Sequence, residues 1–363
     1  MYKNPAQPLG IIEGFFGKSW SWQERSDHLQ FLARYGYDFY IYAPKSDAHL
    51  RRHWQLDWPA ETQSELQKLR HQCHTLGLHF GIGLSPLDIY RESRENQHRS
   101  LRQRVRQIRS LQPDILCILF DDMRGDLPQL AQLQLDLVHL AASESLAHRL
   151  IFCPSYYSVD PVLEKVFGTM PEGYWQALGK GLDKAIDIFW TGEKVCSPEY
   201  ALTHLHRVRE LFQRKPFLWD NYPVNDGAIK SSHLHLRAFP YSHHQLHNQL
   251  NGHAINPMNQ PWLSQLAIAS LIAAYEQGAQ YQPQQTFDRL AQELPGNTMA
   301  VQLHQHLGLF QDQGLSHMSD AQKLALIEIY RPFTEQSQSA PYAQEIIQWL
   351  SGEYVFDPAC LTE

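Results

Sequence analysis

Eight short apolar segments, each ending in polar, glycine or aromatic residues, recur between residues 9 and 258 of the chain. They span residues 9–17, 37–45, 79–86, 114–122, 149–157, 187–195, 216–222 and 252–258. Continuous runs of this kind, rich in Ile, Leu and Phe, are typical of strands that are buried on both faces of a parallel sheet. We therefore predict eight strands that all run in the same direction.

Segments with helical spacing of apolar residues separate these strands. They include residues 22–35, 61–76, 101–111 and 127–146. Eight strands alternating with helices over about 275 residues fit the size of a (β/α)8 TIM barrel, an α/β fold. An open, doubly wound sheet is the competing fold, but the first predicted helix is not opened by the G-x-G-x-x-G motif that often marks it. Residues 14–18 read GFFGK there.

The composition changes after Tyr275. Residues 277–285 (QGAQYQPQQ) are predicted to be a linker, and helical spacing returns at residues 286–294, 301–310, 321–330 and 342–350. We therefore predict a barrel at residues 1–276, a linker at 277–285 and a small C-terminal helical region at 286–363. A helical region of this size is compatible with a homodimer.

The net charge of −7 argues against a nucleic-acid partner. Seven arginines lie between residues 91 and 109, but Leu101, Val105 and Ile108 form an apolar stripe through the same helix, so we expect the arginines to face solvent. No apolar run is long enough to span a membrane, and residues 1–10 lack the apolar stretch of a secretion signal. These features predict a cytoplasmic protein, unless a leader has been removed.

Cysteines and histidines suggest no metal site. The five cysteines are scattered without a C-x-x-C motif, which excludes both a disulfide framework and a zinc site; Cys117 and Cys153 lie in predicted strands and are expected in the core. His243 and His247 have i,i+4 spacing without the Glu of an H-E-x-x-H motif, so a surface histidine cluster is expected.

The strand at residues 115–120 stops abruptly on Asp121 and Asp122. Because a buried, unpaired carboxylate is costly, the pair should lie at the solvated end of the barrel, where the active sites of TIM-barrel enzymes are found. Two simpler interpretations remain. The pair could cap a helix that follows near Leu127, or it could bind Mg²⁺ or Mn²⁺.

The other strand ends contribute amides, aromatic rings and ammonium groups to the same end of the barrel. These residues are Gly14, Phe15, Lys45, Pro86, Asp88, Tyr157, Thr191, Lys194, Trp219, Asn221 and Asn256, with Asp226 in the loop after Asn221. Carboxylates and amides bind hydroxyl groups, and an aromatic ring stacks on the apolar face of a sugar. Taken alone, Trp219 would more often be a core residue, and Lys45 could simply pair with Asp47. Their arrangement at one rim favours a sugar-binding site.

Adjacent aspartates restrict the mechanism of glycoside cleavage. Their Cα atoms lie about 3.8 Å apart, which leaves no room for an inverting water and favours retention of configuration. In substrate-assisted families the substrate replaces the carboxylate nucleophile. A 2-acetamido group would do so with a high effective molarity. One Asp would then hold the amide N–H and the other would protonate the leaving oxygen.

These strand ends resemble the motifs of glycoside hydrolase family 84, the O-GlcNAcase family of β-N-acetylglucosaminidases. The matching stretches are residues 12–20 (IEGFFGKSW), 40–45 (YIYAPK), 84–89 (LSPLDI), 118–122 (ILFDD), 152–154 (FCP), 190–192 (WTG), 219–221 (WDN) with 225–226 (ND), and 256–257 (NP). The chain departs from the family pattern at Phe16, where many members have Tyr, at the shortened loop of residues 85–88, and at Tyr156.

The resemblance implies a role for each site residue. Asp121 would orient the acetamido group, and Asp122 would act first as general acid and then as base. The implied contacts with the sugar come from Gly14, Lys45, Tyr157, Trp219, Asn221, Asp226 and Asn256, with Tyr157 on the acetamido oxygen and Asp226 on the O4 and O6 hydroxyls. No cofactor or metal is implied.

The expected substrate is a terminal β-linked N-acetylglucosaminide: a glycoprotein, a cell-wall fragment or a small glycoside. Two alternatives remain open. An endo-acting, hyaluronidase-like enzyme would need a long open groove, whereas the short loops favour a pocket for one sugar. A non-catalytic N-acetylglucosamine sensor would have no use for a proton donor.

Overall fold

The computed structural model describes residues 7–362. Eight parallel strands form a closed barrel in chain order, with β8 pairing to β1. They are β1 Leu9–Glu13, β2 Phe39–Tyr42, β3 His79–Leu84, β4 Ile115–Leu119, β5 Arg149–Cys153, β6 Ile186–Trp190, β7 Phe217–Asp220 and β8 Gly252–Ile255. The predicted (β/α)8 barrel is confirmed. The expected lack of a secretion signal concerns residues 1–10, of which the first six lie outside the described part.

Each strand is shorter than the apolar segment that predicted it, because the polar and aromatic residues at the segment's end belong to the following loop. The segment at residues 114–122, for example, contributes β4 only as far as Leu119. Its last residues stand above the carboxyl end of the barrel, at the level of the loops after the other strands. Most of the candidate site residues therefore lie in loops just beyond the sheet, at the carboxyl end of the barrel.

Helices alternate with the strands along the chain. They are α1 Trp22–Arg34, α2 Ala60–Thr75, α3 Arg94–Ser110, α4 Leu130–Glu144, α5 Pro161–Phe167, α6 Tyr174–Gly181, α7 Leu202–Phe212 and α8 Pro261–Glu276. Ser21 begins α1 with a capping box, since its side chain accepts from the Glu24 N–H and the Glu24 carboxylate accepts from the Ser21 N–H. The predicted helix at residues 101–111 is the second half of α3.

One arginine of α3 is buried, which corrects the expectation that all of them face solvent. Arg104 is 0% exposed; its guanidinium lies 3.9 Å from the ring centroid of Trp58 and donates to the His49 carbonyl oxygen at 3.0 Å. The segment between β2 and α2 packs over α3 and encloses this side chain. Arg102 and Arg106 do reach the outer surface, where both bind Glu144 of α4.

The predicted surface histidine cluster is also wrong in part. His243 is 4% exposed, because the β7–β8 loop packs it against Phe239 and Tyr275. Burial lowers the pKa of His243 to about 4. A single 3-10 turn at His244–Leu246 separates His243 from His247, so the two do not share a helix face.

Four more helices follow the barrel: α9 Pro283–Glu293, α10 Asn297–Gly308, α11 Asp320–Tyr330 and α12 Ala340–Leu350. The α12 helix is tied to the barrel by Glu345. Its buried carboxylate accepts from the Trp262 and Leu263 N–H groups at 2.9 and 2.8 Å, which caps the first turn of α8. Because α8 follows the loop after β8, this cap also supports one side of the barrel's carboxyl end.

Membrane-spanning helices and metal-binding clusters of side chains are both absent from residues 7–362. Within them, no helix is both long enough and apolar enough to cross a bilayer. No group of three or more His, Cys, Asp or Glu side chains in the same range is arranged to hold a metal ion. Cys117 and Cys153 are buried thiols, as expected.

Candidate active site

All nine sugar-site residues proposed from the sequence line one cavity of about 500 Å³ at the carboxyl end of the barrel. They are Gly14, Lys45, Asp121, Asp122, Tyr157, Trp219, Asn221, Asp226 and Asn256. Six of the eight strands, or the loops that follow them, supply these residues, which explains why residues so distant in sequence meet.

Asp121 is a buried carboxylate whose two oxygens have different surroundings. Its Oδ2 pairs closely with the Lys45 ammonium, which is also buried. Its Oδ1 is buried and accepts no hydrogen bond from any described residue. Lys45 therefore pairs with Asp121 rather than with Asp47, whose carboxylate accepts from Tyr42 and Trp58. The site thus holds one neutralised carboxylate with a free acceptor atom.

Asp122 has an unusual backbone and an unusual charge environment. Its φ of +55° lies in the left-handed region, which few residues other than glycine adopt and which clusters at functional sites. Burial and the neighbouring Asp121 charge raise the pKa of Asp122 above its ordinary value, although Lys45 and Arg51 oppose the shift. A carboxyl group of this kind keeps its proton to higher pH than an exposed one.

Neither simpler interpretation of the pair is favoured. The α4 helix begins at Leu130 and its N-cap residue is Gln129, so the two aspartates do not cap it. Asp122 instead lies beside Tyr157, whose hydroxyl is 3.5 Å from its Oδ1. Lys45 Nζ is 3.8 Å from Asp122 Oδ2, so one ammonium group serves both carboxylates.

A wall of aromatic and amide groups faces these carboxylates. The indole N–H of Trp219 donates to Asn221 Oδ1 at 3.0 Å, and Asn256 Nδ2 donates to the same oxygen at 3.0 Å. Asn256 Oδ1 in turn accepts from the Gly14 N–H at 3.2 Å. A Cβ on residue 14 would lie 2.5 Å from Cζ2 of Trp219, so only glycine allows the ring this position.

Asp226 provides a third carboxylate. The loop after β7 carries it into the cavity, where its Oδ2 accepts from the Phe16 N–H at 2.8 Å. Burial, assisted by the Asp122 charge, raises the pKa of Asp226 to about 6. The cavity therefore contains groups that both accept and donate hydrogen bonds around an aromatic surface, which suits the hydroxyls and the apolar face of a sugar.

Some strand-end residues lie outside the cavity, and others enter it unexpectedly. The Lys194 side chain is 57% exposed and points to Asp160 at 3.8 Å, whereas Lys230 lines the cavity and is its second lysine. Pro86 and Asp88 do not line the cavity. Phe16 lines the cavity, whereas its neighbour Phe15 does not.

Tyr157, not Tyr156, faces the cavity. The Tyr156 hydroxyl donates instead to the Gly168 carbonyl oxygen at 2.6 Å. The cavity also includes Cys360 and Thr362, which follow α12 and for which the sequence gives no signal.

The chain is similar in sequence and in fold to known proteins. A family model described as beta-N-acetylglucosaminidase (NAGidase) matches residues 9–308. The protein O-GlcNAcases of Rattus norvegicus and Mus musculus are each 26% identical to the chain over 281 residues, a region that covers 74% of this chain and 30% of each relative. The chain thus spans less than a third of the length of these relatives.

A solved structure is similar over most of both chains. It is a mutant of the Thermobaculum terrenum O-GlcNAc hydrolase, which is 28% identical in sequence and has a TM-score of 0.73. The similarity covers 94% of this chain and 80% of that one.

Proposed function

The chain belongs to the β-N-acetylglucosaminidase family, glycoside hydrolase family 84, and from this premise we propose that it hydrolyses terminal β-linked N-acetylglucosamine with retention of configuration. In the proposed mechanism the substrate's own 2-acetamido oxygen is the nucleophile and an oxazoline is the intermediate. The observation that carries the proposal is the free, buried Oδ1 of Asp121. Because Lys45 already pairs with the other oxygen of Asp121, the buried Oδ1 is available to accept a hydrogen bond from a substrate N–H.

In the first step, the acetamido carbonyl oxygen attacks the anomeric carbon while the bond to the leaving oxygen breaks. Asp121 accepts a hydrogen bond from the acetamido N–H and stabilises the positive charge that develops there. Asp122 transfers its proton to the leaving oxygen, a role that its raised pKa supports. Tyr157, whose hydroxyl lies 3.5 Å from Asp122, is placed to hold the acetamido oxygen.

In the second step, Asp122 takes a proton from water as the water attacks the anomeric carbon and the oxazoline opens. Two inversions at the same carbon give net retention. Asp226 would bind sugar hydroxyls, and Trp219 with Asn221 and Asn256 would form the wall on which the sugar ring rests. Gly14 and Lys45 complete the proposed contacts.

The cavity at the carboxyl end of the barrel favours removal of one terminal sugar over cleavage within a polymer. A hyaluronidase-like enzyme would bind several sugars in an open groove, whereas all nine proposed site residues line a single cavity. A sugar sensor would not need a carboxyl group with a raised pKa at the glycosidic oxygen. We therefore place both alternatives second.

A stopped assay with an aryl β-N-acetylglucosaminide, followed by proton NMR of the first-formed product, tests the proposal. We expect hydrolysis that gives the β-anomer of N-acetylglucosamine before mutarotation, and none with the α-linked substrate. First appearance of the α-anomer would contradict retention. Binding of N-acetylglucosamine without hydrolysis of any β-linked substrate would favour the sensor.

Replacing Asp121 by Asn should lower kcat by about 10²–10³-fold on aryl and alkyl substrates alike, because the charge it stabilises forms in both transition states. The substitution also removes the negative charge that raises the pKa of Asp122. Because the general acid must be protonated, the basic limb of the kcat/KM profile should move to lower pH. An increase in KM with kcat unchanged would make Asp121 a binding residue only.

A further inference from the structure

The segment that follows α12 returns to the mouth of the barrel. We call residues 354–362 the strap. Its last part contributes Cys360 and Thr362 to the lining of the same cavity as Asp121 and Asp122. Thr362 Oγ1 lies 3.4 Å from the Tyr157 hydroxyl. A segment more than 75 residues beyond α8 therefore forms part of the sugar pocket.

The strap is fixed at its start by Tyr354. This ring is largely buried; its hydroxyl donates to Gln348 Oε1 at 3.2 Å, and the Lys18 ammonium lies 4.5 Å from its centroid. Lys18 belongs to the loop after β1, so the contact ties the strap directly to the rim of the barrel.

Asp357 shapes the middle of the strap. Its Oδ1 accepts from the Ala359 N–H at 2.9 Å, and its carbonyl oxygen accepts from the Cys360 N–H at 2.9 Å, which makes a tight turn towards the cavity. Its Oδ2 lies 3.9 Å from Arg52 in the loop after β2. Val355 and Leu361 are 70% and 56% exposed, so the strap is held by a few anchors rather than by a packed core.

The strap is linked to the loop that contacts Asp122 at the mouth of the cavity. In the proposed mechanism Asp122 gives its proton to the glycosidic oxygen, so the aglycone begins next to Asp122. Asp357 of the strap lies 3.9 Å from Arg52, and the neighbouring Arg51 donates to the Asp122 carbonyl oxygen at 3.3 Å. The strap therefore borders the space where the first atoms of the aglycone would lie.

We propose that the strap determines aglycone specificity, so that the enzyme prefers N-acetylglucosaminides with compact leaving groups over N-acetylglucosamine linked to a polypeptide. This inference rests on the proposed function. A sugar on a serine side chain within a polypeptide brings two chain arms to the pocket mouth, and those arms would meet the strap. A small aglycone extends only as far as the cavity itself.

The test compares kcat/KM for two substrates with the same serine linkage: O-linked N-acetylglucosamine on a blocked single serine and on a long glycopeptide. The shared linkage keeps the basicity of the leaving oxygen equal, so the ratio reports on size alone. For the wild-type protein we expect the single serine to be preferred by about tenfold or more.

Two substitutions should move this ratio in opposite directions. Asp357→Ala removes both side-chain anchors of the turn and should raise kcat/KM for the glycopeptide severalfold while the single-serine substrate changes little. Leu361→Trp adds bulk at an exposed position of the strap and should lower the glycopeptide value further. Asp320→Ala, which removes an exposed aspartate from α11, is the matched control and should leave the ratio unchanged.

Each outcome decides between the alternatives. Wild-type activity that is equal on both substrates, or a ratio that neither strap variant alters, would overturn the inference while leaving the proposed hydrolase function intact. Equal increases on both substrates with Asp357→Ala would make the strap a general inhibitor instead of a specificity element. A protein that hydrolyses no N-acetylglucosaminide at all would overturn the proposed function itself.

Discussion

Asp122→Asn should slow the hydrolysis of alkyl and serine-linked N-acetylglucosaminides by roughly 10²–10⁴-fold, and that of activated aryl substrates far less. The difference arises because a basic leaving oxygen needs a proton as its bond breaks, whereas a nitrophenolate leaves without one. An amide at residue 122 keeps the size of the side chain but has no acidic proton to give.

The measurement is a series of aryl substrates whose phenols differ in pKa. For the wild-type protein kcat/KM should depend weakly on the leaving-group pKa, and for Asp122→Asn it should fall steeply as that pKa rises. Asp126→Asn is the control, since Asp126 lies in the same loop and pairs with Arg124 without lining the cavity. Equal losses across the whole series would remove Asp122 from the role of acid.

The environment of Asp122 explains why it, and not its neighbour, should be the acid. Lys45 pairs closely with Oδ2 of Asp121. The charge of Asp121 together with burial favours the protonated form of Asp122. Two adjacent carboxyl groups in such different surroundings are suited to different roles in one reaction.

Much of this site could be predicted from the sequence because parallel-barrel geometry is restrictive. All eight strands run in one direction, so every strand's carboxyl end reaches the same rim. Lys45 and Asp121 are 76 residues apart, yet each follows a buried apolar run by a few positions. The ends of these apolar runs, with the loop that follows the seventh, therefore predict that nine of the cavity-lining residues lie close together.

The residues that sequence reasoning missed are those placed by long loops. Lys194 follows β6 closely but turns outward, whereas Lys230 is carried into the cavity ten residues after β7 ends. The hydrophobic pattern of the sequence does not predict the course of these loops, because loop conformation depends on contacts between residues that are distant in sequence. For the same reason the sequence does not predict the position of Thr362, which depends on the contacts of Tyr354 and Asp357. Nor does it predict the burial of Arg104 against Trp58.

Removing the acetamido group from the substrate should have the largest effect of all. If that group is the nucleophile, a matched β-glucoside has no internal attacking oxygen, and an effective molarity of about 10⁵–10⁸ M is lost. We expect the glucoside to be almost inert at concentrations where the N-acetylglucosaminide turns over readily. The comparison uses the same aryl leaving group, so only the nucleophile and its contacts with Asp121 and Tyr157 differ.

A graded series separates loss of the nucleophile from loss of binding. Replacing the hydrogens of the acetyl methyl one by one with fluorine leaves the group in place but withdraws electrons from the carbonyl oxygen, so kcat should fall with each fluorine. A thiazoline that mimics the bicyclic intermediate should bind far more tightly than N-acetylglucosamine, as intermediate analogues do. If the glucoside were hydrolysed at a comparable rate, or if mass spectrometry detected a glycosyl ester on Asp121 or Asp122, a carboxylate nucleophile would have to replace the acetamido oxygen. The free Oδ1 of Asp121, with its partner oxygen already engaged by Lys45, favours the N–H acceptor over that alternative.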